Sequence, residues 1–170
     1  VYLALIVAMQ RDLDGAERRA RVGIEMAATS PVILALARAT LGGILLLRDD
    51  SAAALVEARA AMDLLEQLGG VEEGEAMIRL VHMTALAQEG ETEAARDAIA
   101  EAHARLRARS ERIANPAWRR SFLFEIPEHA QTLELASQWL DGVKDAPPEG
   151  SSKSRHSLLG VADAPLPTKR

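Results

Sequence analysis

Three times in its first 105 residues the chain sets small or compact residues at the same distances from a turn. After Gly90 come Ala95, Ile99 and Ala102, at +5, +9 and +12; after Asp49 come Ala54, Ala58 and Ala61; after Arg11 come Ala16, Ala20 and Gly23. The turns lie 38 and then 41 residues apart. Seven positions before them stand Ala4, Gly42 and Met83, and four before them Val7, Leu45 and Leu86. In a helix, side chains three and four apart share a face. A stripe this small lets a second helix approach closely. Each unit therefore reads as two antiparallel helices, and recurring units of this length stack into a solenoid.

Helix punctuation agrees with that reading. Ser30-Pro31 is a cap followed by proline at the first helical position, where its missing N–H costs nothing. The helix it opens, to about Leu47, is apolar nearly all round and should be sandwiched between neighbours. Asp50-Ser51 opens its partner, which Gly69-Gly70 stops. Gly74 to Glu89 and Thr92 to about Ile113 form the next pair, with Met77, Leu80, Val81 and Ala85 on the inner side. Asn115-Pro116 repeats the cap-then-proline signal, and Pro127 opens a final helix to about Leu140. The expected architecture is all-α: a solenoid of about three hairpins over residues 1–114, an aromatic-rich capping segment and helix over 115–141, and a disordered tail over 142–170. The tail is rich in proline, glycine and serine and lacks a periodic apolar pattern.

Composition removes several functions. A formal net charge of −5 offers no general basic face for nucleic acid. Cysteine is absent, so there is no disulfide framework, thiolate nucleophile or cysteine-ligated zinc, which suits a reducing cytoplasm. The apolar opening Val1 to Met9 is far short of the roughly 20 residues that span a bilayer, and no basic leader precedes it. A terminal solenoid unit normally shows a polar outer face. This one carries Tyr2, Leu3, Leu5, Ile6 and Val7, which predicts a C-terminal piece of a longer protein whose cut end self-associates.

The hairpin unit and its small residues resemble the tetratricopeptide repeat family, with a longer period than the family's 34 residues and most of its aromatic and proline positions unfilled. The segment Trp118-Arg119-Arg120-Ser121-Phe122-Leu123-Phe124-Glu125-Ile126-Pro127-Glu128-His129 resembles the closing element of repeat regions in large bacterial signalling proteins, with histidine at 129 where asparagine is usual. Several of those carry a serine/threonine kinase domain and an ATPase domain ahead of the repeats. The resemblance implies a regulatory, partner-binding module. No kinase residue carries over, because the chain has no glycine-rich phosphate loop, HRD or DFG.

The residues themselves offer no catalytic centre. His82, His103, His129 and His156 share no i, i+4 spacing, and Ser121 and Ser154 lack a nucleophile setting, so no metal, cofactor or catalytic residue is expected. Polar residues on otherwise apolar first helices, Arg38, Arg79 and His82, are candidates for a partner-binding groove. Arg105, Arg107, Arg109, Arg112, Arg119 and Arg120 form a basic cluster. It reads either as an anion clamp, with Arg105, Arg109 and Arg112 foremost, or as ordinary charge complementing a helix C-terminus. The acidic turns around Glu72 to Glu75 and Glu89 to Glu91 read as solvated. Trp118, Phe122 and Phe124 read as a lid over the last hairpin, with Trp118 buried. The function expected is a non-catalytic protein-interaction scaffold, the regulatory part of a bacterial signalling kinase or ATPase whose upstream domains are partners too. The rival is a ligand-sensing repeat region of a transcriptional activator.

Overall fold

The computed structural model describes residues 1–143. From residue 144 onward, the expected disordered tail lies outside the described residues. The order is α1 (Tyr2–Met9), α2 (Leu13–Met26), α3 (Pro31–Leu47), α4 (Ser51–Gln67), α5 (Glu75–Gln88), α6 (Thr92–Glu111), α7 (Pro116–Phe124) and α8 (Pro127–Trp139). No strand occurs among the described residues. Three antiparallel pairs form, α1 with α2, α3 with α4 and α5 with α6. α2 also packs on α3 and α4 on α5, the first helix of the next unit in each case, while α6 packs on both α7 and α8. First helices touch in turn, α1 with α3 and α3 with α5, and α8 closes over α5.

The repeat register is visible in the backbone. Arg11, Asp49 and Gly90 all take left-handed conformations, at φ 64°, 60° and 77°. Each ends a first helix and reverses the chain into the second. Only glycine does this without crowding its own Cβ, so Arg11 and Asp49 bear a small local cost. The positions counted from these turns are buried. Ala16, Ala20, Ala54, Ala58, Ala61, Ala95 and Ile99 are at most 1% exposed. Gly23 is the exception, half-buried at the outer end of α2.

Gly42 shows why the stripe is small. A Cβ placed there would lie 3.1 Å from Val81 Cγ1 and 3.3 Å from the Ala54 carbonyl oxygen. The backbones of α3 and α4 cross at that point, with α5 closing over the same spot. α3 is accordingly buried at every residue from Ala39 to Leu46, as its all-round apolar sequence requires.

Caps follow side-chain chemistry, with one departure. Asp12 accepts from the Gly15 N–H at 2.8 Å, and Asp50 from the Ala53 N–H at 3.1 Å. Asn115 accepts from the N–H groups of Ala117 and Trp118. Ser30 makes no side-chain cap, so proline's fixed φ marks the start of α3 without help from its neighbour.

The aromatic lid is where sequence reasoning went wrong. Trp118 is 71% exposed. Leu123 is the buried side chain of α7, and five residues of helix set Trp118 about 140° round the axis from it. Phe122 and Phe124 flank Leu123 and pack partly against Leu106 and Leu133. The end of the stack is covered by α8, which supplies Leu133, Leu135, Ala136 and Trp139 to the core.

Two substitutions test this packing. Gly42→Leu should cost about 1–3 kcal/mol by forcing the α3–α4 crossing apart, read from the urea unfolding midpoint. Trp118→Ala should change stability by no more than about 0.5 kcal/mol, as at other surface sites. A loss several times larger would restore Trp118 to the core.

Candidate functional site

The arginines expected to receive a partner are mostly occupied within the protein. Arg79 donates through Nε to Glu75 at 2.8 Å and through Nη1 to Glu101 at 3.1 Å. Arg105 donates through Nε to Glu101 at 3.0 Å, and its Nη1 stands 3.6 Å from Glu75. Two carboxylates and two guanidiniums thus close a ring that ties α5 to α6. Burial works to raise the Glu101 carboxyl, but its hydrogen bond from Arg105 and the charges of Arg79 and Arg105 outweigh this and hold it below the usual value. Arg38 donates to Glu57 of α4 at 2.7 Å. Arg119 donates through Nε and Nη2 to the Ile113 carbonyl, at 3.0 and 2.8 Å, and so ties α7 to the loop that follows α6. Arg109 and Arg112 stay exposed. Of the basic cluster, Arg105 and Arg119 are thus held by contacts within the protein.

The acidic turns are more than solvated loops. Glu89 accepts from Ser51, and Glu91 accepts from Arg59 Nη2 at 2.6 Å. Tyr2 donates to Glu73. The turn between α5 and α6 lies beside α4, so Glu89 and Glu91 meet that helix's polar side chains, whereas Glu73, between α4 and α5, meets the start of α1.

Two grooves take up the remaining candidates. One, of about 380 Å³, runs between α4 and α6 over α5 and holds Arg79 and His82 with Arg59, Met62, Leu86 and Ala98. His82 is half-buried there. Desolvation, with the nearby charges of Arg59 and Arg79, lowers its pKa. The other, of about 400 Å³, lies across the N-terminal ends of α1, α5 and α8. Its apolar surface comes from Leu5, Leu36, Met77, Phe122 and Ile126; Glu72, Glu73 and Glu128 bring negative charge, and Arg109 sits on one side. Arg38 lies about 200° round α3 from Leu36 and lines neither groove.

His129 joins α8 to the second groove. Its Nδ1–H donates to the Phe122 carbonyl at 2.7 Å, and its ring tilts against Phe122 with centroids 4.4 Å apart. That tautomer leaves Nε2 as an acceptor. Burial lowers the His129 pKa, against the opposing hydrogen bond to Phe122 and charge of Glu128.

The second groove was missed because its residues belong to six helices and share no spacing. The available signal was positional: Tyr2, Leu5, Met77, Glu128 and His129 all fall in the first turns of their helices. Among the described residues no group of three or more His, Asp or Glu side chains could hold a metal ion, and no helix is long and apolar enough to cross a membrane.

Comparison of the chain with protein-family models, with curated proteins and with solved structures gives no match. The class defined by the geometry is an all-α, helical-repeat-like stack with open grooves on its surface.

Both buried histidines have folded pKa values below the ordinary 6.5. Above about pH 6.5 both states are neutral; as pH falls, the unfolded chain takes up protons that the folded chain resists. The urea midpoint should therefore hold steady from about pH 8 to 7 and decline below about 6.5. His129→Gln should flatten part of that decline. An unchanged slope would mean that His129 charges freely in the folded state.

Proposed function

We propose that this chain is a non-catalytic protein-interaction scaffold that holds a partner segment in the groove across the ends of α1, α5 and α8. One observation carries the reading. Apolar side chains from α1, α3, α5 and α7 line one open groove together with four carboxylates, Glu72, Glu73, Glu75 and Glu128. Open apolar grooves with a few placed charges are how helical repeats take extended or helical segments. Arg109 and the His129 imidazole add polar selectivity on one side. The segment that fits carries leucine, valine or phenylalanine for the apolar surface and lysine or arginine for Glu72 and Glu73. The resemblance to the tetratricopeptide family and to the repeat regions of bacterial signalling kinases supports a regulatory role within that reading. Nothing in the groove pairs a nucleophile with a base and an oxyanion donor, so the reading needs no reaction.

A peptide panel tests it. Peptides alternating basic and large apolar residues should bind, as measured by fluorescence anisotropy, and acidic analogues should not. The pair Glu72→Lys and Glu73→Lys, both in an exposed turn, should weaken binding about tenfold or more, a charge effect that shrinks as salt rises. Equal binding of basic and acidic peptides, or no effect of the two reversals, would defeat the proposal.

A further inference from the structure

The internal units show how each first helix meets the second helix before it. Arg48, just past α3, reaches Asp14 and, at 3.3 Å, Glu17 of α2. Forty-one residues on, Glu89, just past α5, accepts from Ser51 of α4. Stepping back from Arg48 by helical turns gives Ile44 and Leu41, which are 0% and 1% exposed. The same steps from Glu89 give Ala85, at 0%, and His82, which shares its groove with Arg59 and Met62 of α4. One row of each first helix therefore faces the preceding second helix.

In the first unit, 38 residues earlier, that row is Leu3, Ile6 and Gln10. Here Leu3 is 55% and Ile6 52% exposed. The open surface continues onto α2 through Val22 and Met26, 51% and 81% exposed. Between the two helices lies a groove of about 430 Å³ that includes Ala4, Gly15, Gly23, Arg18 and Arg19.

We propose that the Leu3–Ile6–Gln10 row docks the second helix of a further hairpin of this same repeat type. The register identifies the occupant, because residues in the equivalent row are covered by α2 on α3 and by α4 on α5. The incoming helix should resemble those two: a polar side chain at its start, as Asp14 and Ser51 supply, and an aliphatic or thioether side chain about three turns on, as Ile24 and Met62 supply. Acidic residues near its edge would meet Arg18 and Arg19. A second copy presenting this same face would instead set those arginines against their own counterparts, and like charges repel. The row is distinct from the side chains that line the partner groove, although Val1 borders both grooves.

The test duplicates residues 31–79 ahead of Val1, so that Val1 takes the place Leu80 holds in α5 and the Leu3–Ile6–Gln10 row keeps the register of His82, Ala85 and Glu89. The fused chain should unfold in one transition at a higher urea midpoint than the original. Leu3→Glu with Ile6→Glu should lower the fused chain's midpoint more than the original chain's, and should release amide protection in the added hairpin alone. If the glutamates prevent folding, Leu3→Ser with Ile6→Ser gives the same comparison. Equal shifts in both chains would overturn the proposal. So would an added hairpin that exchanges like an unfolded peptide, or a dimer through Leu3 that sediments unchanged after the fusion.

Discussion

Close approach of helices at small residues is the constraint on which the rest depends. The space between α3 and α4 at Gly42 is already short of what one extra carbon needs. The same closeness recurs wherever the alanine positions after a turn face inward. Such packing gains from many short-range contacts, each worth only about 0.1–0.2 kcal/mol. Larger side chains, among them Leu41, Ile44, Met83 and Ile99, fill the rest of the same continuous core.

Charge follows from that packing. A hairpin closed by alanines has few polar groups inside, so its carboxylates and guanidiniums gather along its edges. Glu75, Arg79, Glu101 and Arg105 close a ring within the third hairpin, while Arg48, Ser51, Arg59, Glu89 and Glu91 link one unit to its neighbour. Exposed pairs of this kind are each worth about 1 kcal/mol or less. Their effect is to hold the register of the stack and to take up arginines that could otherwise have met a ligand. The grooves are what this arrangement leaves open.

The regular part of the structure was legible because it is local. Turn positions 11, 49 and 90 and the small residues after them could be counted along the chain, and all three turns take the same left-handed backbone. Helix ends at Asp50, Asn115, Pro116 and Pro127 follow from the capping chemistry of single residues. Trp118 was misread because composition shows only that an aromatic is large. Its direction depends on which face of a short helix Leu123 claims.

The sequence by itself determined the helices, their pairing into hairpins and the all-α class, since helical period and turn chemistry act within a few residues. Tertiary structure alone decided which arginines are paired across helices, as Arg38 with Glu57 and Arg79 with Glu101, whereas Glu75–Arg79 and Glu101–Arg105 stand four apart in one helix. It also decided that the ends of α1, α5 and α8 meet to shape one groove. The crossing of paired helices sets the first outcome and the stacking of successive units the second, and both come from packing between side chains many residues apart, which no local pattern encodes.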